Sequence, residues 1–346
     1  VFELLWSETA GNPPTLAYRP KEIGGTALST ELGTVYVAAR SGALECRDLN
    51  SGELRWSVDA GEDLYSPPVV AGTDLFLGLS DGRIVNYDAR TGAERWSYRG
   101  GSAFHTEIVA DGDLVAAISA SNSLHIISRE TGASIARHTQ TRPTDLVMLG
   151  TAPVTFTDDA LYAGFSDGRL GAFTRQGELL WLSNLAGTHR RLIDVDTRPL
   201  VVGDIVVAAS FTGGVYGVRV SDGSVVWHVE QRAARSPLLA PNGLILSVGS
   251  GGLIYWIDPT DGYVVGQLEV EAETLTAPVM LTESLVAVGS DSFGVYVIDA
   301  SVPWIYGRFE SGSGFSTPPA AAGSLMSVLS DGGHVYALRV STRPFR

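Results

Sequence analysis

The chain has 346 residues, 45% of them hydrophobic and 18% charged, with a formal net charge of −14, 40 glycines, three methionines and one cysteine. That length and apolar share can bury a sizeable core, while the acidic balance repels phosphate backbones and anionic lipid headgroups and argues against nucleic acid as a partner. The lone cysteine, Cys46, rules out an internal disulfide and speaks against a cysteine-based metal site.

The chain begins Val1-Phe2-Glu3-Leu4-Leu5-Trp6, with no basic segment leading into an apolar one, and no stretch holds the unbroken apolar run of a membrane-crossing helix. Any N-terminal lipid would be attached upstream of Val1. No long segment keeps a 3.6-residue apolar period, and the many glycines mark tight turns, so the expected class is all-β.

The clearest unit runs from Ser80 to Trp96. Asp81 and Gly82 suit a turn between antiparallel strands, a half-buried strand follows to Tyr87 and Asp88, and Thr91-Gly92 makes a second turn. Trp96, on the last strand, is a large apolar plate able to lock one sheet against the next.

The position of Asp88 recurs at Asp48, Ser128, Thr174, Arg219, Asp258, Asp299 and Arg339, at intervals between 39 and 46 residues. Its turn glycine recurs as Gly52, Gly132, Gly223 and Gly262, with Gly177 one residue early and Pro303 in the seventh copy. The aromatic plate recurs as Trp56, Trp181 and Trp227, whereas Ala136 and Gly266 replace it and Tyr306 stands in for it, so looser contact is expected at those copies.

Four short strands in about 40 residues make a propeller blade, and eight such sheets arranged radially cover one another's faces. The expectation is one eight-bladed β-propeller over residues 1–346, with blades near 26–58, 67–98, 106–139, 151–185, 197–230, 236–269, 276–310 and 316–340. Residues 2–7 resemble the outer strand around Trp56, and the last repeat lacks a fourth strand, so the N-terminal strand should complete the C-terminal blade and close the ring.

A search for chemistry yields no catalytic residue, no cofactor site and no metal site. Gly78-Leu-Ser80-Asp-Gly82 and Gly164-Phe-Ser166-Asp-Gly168 both match a nucleophile-elbow pattern, but that motif needs a strand-to-helix turn and both copies sit between strands. The six histidines, His105, His125, His138, His189, His228 and His334, have no metal-ligand spacing.

The two longest intervals place extra residues in neighbouring connections, 140–150 and 186–196, which emerge on one face of the ring. Long adjacent loops on a rigid scaffold make a binding surface. The first carries Leu146, Met148 and Leu149; the second carries Arg191 and Leu192, then Asp194 and Asp196, which an extended run puts on one face. Apolar groups rimmed by charge suit a protein partner, while the plain alternatives are that the apolar run tucks onto its blade and that the carboxylates pair with Arg190, Arg191 or Arg198.

Two stretches, Leu146 to Pro153 and Arg191 to Val202, together with the repeat, resemble the BamB family of outer-membrane assembly proteins, within the wider group of PQQ-like propellers. The resemblance covers essentially the whole chain. It implies a non-catalytic, periplasmic scaffold, carried by a lipid anchor outside this sequence and handling unfolded outer-membrane proteins. It also implies that Leu146, Met148, Asp194 and Asp196 contact the periplasmic domains of the barrel-inserting subunit BamA, while Leu149 stands where the family pattern has arginine. Two other readings share the architecture: a ligand-sensing or adhesion module of another envelope complex, and a quinone-dependent dehydrogenase with a cofactor in its central funnel.

Overall fold

The structure is a computed structural model that describes residues 1–11, 21–141, 152–186, 193–231 and 234–342. These residues form eight four-stranded antiparallel sheets, each ordered from an inner to an outer strand, and the all-β eight-bladed propeller expected from the repeat is what the chain adopts. A 3-10 turn at Ser250–Gly252 is the one helical element among the described residues.

The second blade illustrates why this sequence folds so. Its strands are Val69–Ala71, Asp74–Gly78, Arg83–Asp88 and Glu94–Arg99. The two middle strands are buried almost throughout, because neighbouring blades cover both faces of the sheet, and they accordingly read as apolar runs. The outer strand alternates between exposed and half-buried residues, as an edge with one covered face must. Gly82, at φ +87°, makes the turn between the second and third strands.

The core lies in layers between neighbouring blades. One layer joins Tyr36 and Leu44 of the first blade to Leu75, Leu77 and Val85 of the second. At most seams a tryptophan on the outer strand lies flat on the turn glycine of the next blade. A Cβ added at Gly52, Gly92, Gly132, Gly223 or Gly262 would come within 3 Å of Trp6, Trp56, Trp96, Trp181 or Trp227 respectively. Each indole N–H donates to a carbonyl beside that turn, for example Trp96 to Arg129 at 2.9 Å and Trp181 to Val220 at 2.7 Å. The plate therefore both fills the seam and satisfies its own polar atom.

The three copies without that tryptophan do not gape as expected. In the fifth blade Gly217 of the third strand pairs with Trp227 of the fourth; in the sixth the pair is reversed, Trp256 with Gly266. Trp256 is 1% exposed and its N–H still crosses to the next blade, reaching the Ala300 carbonyl at 2.8 Å. At the seam between the third and fourth blades, Gly177 closes directly onto Ala136 and its carbonyl bonds His138. Register puts Gly307, not Tyr306, at the plate position, and Val1 covers it; Tyr306 packs beside it against the core between the seventh and eighth blades, its hydroxyl donating to Asp299.

The ring closes as the sequence predicts. Phe2–Thr9 pairs antiparallel with His334–Val340 and completes the eighth blade. Two devices fasten it to the first blade. The Trp6 indole donates to the Leu49 carbonyl at 2.8 Å. A buried ion pair, Arg47 Nη2 to Glu45 Oε2 at 2.8 Å, extends on one side to the Thr9 carbonyl and on the other to the Gly11 amide.

Candidate partner-binding face

Strand direction alternates within a blade, so the segment leaving each outer strand emerges on the same face as the turn between the second and third strands. Every lead-in to the next blade crosses that face before descending into an inner strand. Of the residues expected there, Leu146, Met148, Leu149, Arg191 and Leu192 lie outside the described residues. Asp194 and Asp196 are described.

Their lead-in is held tightly. The Val195 amide donates to the Phe165 carbonyl at 3.1 Å, and Val195 is 1% exposed. Thr197 both donates to the Ala209 carbonyl and accepts from its amide. The approach is close enough to require glycine: a Cβ at Gly164 would lie 2.4 Å from the Val195 carbonyl oxygen, and Gly168 sits at φ +81° beneath the Ile193 carbonyl. This accounts for the elbow-like pattern. In the other copy, Gly78 is likewise open for Phe104 and Gly82 for Ser102, while the Ser80 hydroxyl donates to the Asp63 carbonyl. Both serines are turn residues and both flanking glycines admit the next blade's lead-in.

The two carboxylates differ, which corrects the picture of a matched surface pair. Asp194 is fully buried, whereas Asp196 is half-buried. Burial pushes the Asp196 carboxyl up to about 6, with Arg235 opposing that rise and neighbouring Asp194 adding to it. Its Oδ1 makes no hydrogen bond among the described residues. Arg198 does not pair with either aspartate; its guanidinium reaches Glu107 of the third blade at 2.7 Å, and its amide donates to Ser236 of the sixth. A run of one charged lead-in after another thus ties the third, fifth and sixth blades together at the mouth of the ring.

The same hydrogen bond locates equivalent lead-ins. Phe104 and Phe315 donate to the ends of preceding blades as Val195 does, so His105 and Ser316 occupy the place of Asp196. Sequence reasoning singled out the longest connections and passed over Tyr65 and His105, which the 40-residue interval relates to each other. The two rings pack at a tilt of 46° with centroids 4.8 Å apart. No group of three or more His, Cys, Asp or Glu side chains able to hold a metal occurs among the described residues, and none of their helices is long and apolar enough to cross a membrane.

A family model described as outer membrane protein assembly factor BamB matches residues 3–149, 138–249 and 212–342. The outer membrane protein assembly factor BamB of Legionella pneumophila (strain Paris) is 29% identical over 203 residues, which are 57% of this chain and 52% of that protein, so the match spans about half the relative's length. The protein of the same name from Shewanella oneidensis is 28% identical over 309 residues, 83% of this chain and 77% of the relative. Among solved structures, BamB from Moraxella catarrhalis superimposes with a TM-score of 0.80 at 18% identity, over 98% of this chain and all of that one, a likeness of fold.

Proposed function

This chain belongs to the BamB family, and from that premise we propose that it is a non-enzymatic accessory subunit of the machinery that assembles outer-membrane β-barrel proteins, working at the periplasmic side of that membrane. The observation that carries this reading is the extent of the family match, which runs through all eight blades. A rigid ring that presents its lead-in segments on one face is suited to holding a partner.

In this reading the periplasmic domains of BamA rest on the connections between the third, fourth and fifth blades. Leu146, Met148, Leu149, Arg191 and Leu192 supply apolar and basic contacts, and Asp196 supplies an acidic one. Asp196 is half-buried where Asp194 is fully buried, and that partial exposure on the lead-in supports the role. Asp194, being fully buried, serves by holding the lead-in in shape rather than by reaching the partner. Unfolded barrel chains are the substrates such a subunit would help deliver.

The test is titration of the periplasmic domains of BamA from the same organism with wild-type chain, with Asp196→Arg and with a Leu146→Ala plus Met148→Ala variant, each checked for an unchanged thermal transition. A loss of at least about tenfold in affinity for the folded variants is expected, in keeping with removal of central interface contacts. Equal binding by all three would reject the site, and no binding by the wild type would reject the partner.

A further inference from the structure

On the same face, two adjoining concavities of about 490 and 440 Å³ share Tyr65 and Ser80 and form one groove across the lead-ins of the second and third blades. One end is acidic, lined by Asp59, Glu62 and Asp63; the other is closed by Ala103 and His105. Tyr65 and His105 pack against each other there with their rings tilted by 46°, and burial holds His105 below its ordinary range, which disfavours its ring as a competing cation at neutral pH.

The protein itself shows which chemistry this surface accepts. The Arg40 guanidinium lies over the Tyr65 ring, 5.6 Å from its centroid, with Nε 3.8 Å from the Asp63 carboxylate. A planar cation therefore already sits on one aromatic wall beside one carboxylate. Of the carboxylates at the acidic end, the Arg40 guanidinium meets Asp63 alone, its Nη1 donating besides to the Lys21 carbonyl; among the described residues neither Asp59 nor Glu62 forms an ion pair, Asp59 Oδ1 accepting from the Gly61 amide, so the acidic end keeps two carboxylates for an incoming charge. Aromatic walls with an acidic end suit a side chain entering from an extended segment beside Arg40, and the five-donor fork of arginine suits paired carboxylates better than an ammonium does.

We propose that this groove binds an arginine side chain of an extended partner segment, the guanidinium stacking on Tyr65 and His105 and meeting Asp59 and Glu62. The surface is separate from the connections assigned to BamA and does not depend on that assignment.

The experiment uses the full chain and a short fluorescein-labelled peptide of arginines alternating with valines, read by anisotropy, beside the same peptide with glutamine in place of arginine. The arginine peptide should bind at least about tenfold more tightly than the glutamine peptide, and Tyr65→Ala combined with Glu62→Gln should remove most of that advantage. Tyr65→Phe, which keeps the aromatic face, should retain it. Glu130→Gln on the opposite face should leave binding unchanged, as should Asp196→Arg, which separates this proposal from the one above. Equal binding of the two peptides would overturn the proposal, and so would an equal loss from Glu62→Gln and Glu130→Gln, which would reduce the effect to general attraction by an acidic protein.

Discussion

Two neighbouring seams of the ring are built on opposite plans. Between the second and third blades, Trp96 lies on Gly132 and its indole is bonded across the seam. Between the third and fourth, the indole is gone: Ala136 meets Gly177 directly, Ile126 fills behind it, and His138 bonds the Gly177 carbonyl. The first seam is spaced by a plate and the second by backbone approach. The lesson is that losing a large side chain at a repeated position need not leave a gap, because a glycine turn can advance to fill the space at native packing density. Of the two connections assigned to a partner, one joins the blades of this plateless seam and the other joins the fourth and fifth blades, whose seam is spaced by Trp181.

The hardest way to break this contrast is at the closing seam. Deleting residues 1–8 removes a strand as well as the plate of Trp6, and a fall in melting temperature of more than about 10 °C is expected by calorimetry; an unchanged transition would mean that the ring does not depend on its closure. Next in size is Trp96→Ala, which should cost about 3–5 kcal/mol in denaturant unfolding through lost burial and a cavity. Ala136→Trp sharpens the comparison further. If that seam merely lacked its plate the change would stabilise, but with Gly177 already closed onto Ala136 it should destabilise by about 1–3 kcal/mol through overpacking.

The smallest effect concerns the face above those seams. The Asp196 carboxyl titrates near 6 in the folded chain, above its unfolded value, so its folded state favours the proton. Stability from this group is fully present below the unfolded value and is lost as pH rises through about 6. Asp196→Asn should therefore stabilise the chain by roughly 1–3 kcal/mol at neutral pH, with the gain vanishing below about pH 4, as urea titrations at both pH values would measure. A gain that persists in acid would assign the effect to something other than the buried charge.

Much of the ring was legible because its signals are local and repeated. The Asp88 position marks the end of the third strand in the second blade, and Asp48, Ser128, Thr174, Arg219 and Asp299 end the corresponding strands elsewhere. Turn glycines at positive φ are needed wherever they occur, so they too survive as a pattern. What was illegible depended on pairs of positions. Gly266 reads as a lost plate until Trp256 is found opposite it, and Tyr306 reads as the substitute until register puts Gly307 at the plate position with Val1 over it.

The candidate face follows the same division. Connection length drew attention to this part of the ring, but alternation along Asp194, Val195 and Asp196 did not foretell that the first carboxylate would be buried, because the lead-in is clamped by Phe165 and Ala209 from other segments. The groove at Tyr65 and His105 carried a signal in its 40-residue spacing, yet only the contact of the two rings and the position of Arg40 brought it forward as a candidate.

By itself, then, the amino-acid order determined the class, the number of blades, the closing strand and the strand-to-strand place of the two elbow-like turns, since each rests on strand period, turn residues or repeat spacing within one blade. The tertiary structure alone decided which seams are spaced by indoles, which carboxylate is buried, and where an aromatic and acidic groove opens. These depend on side chains brought together from different blades, whose distances are fixed by ring closure and by no stretch of sequence.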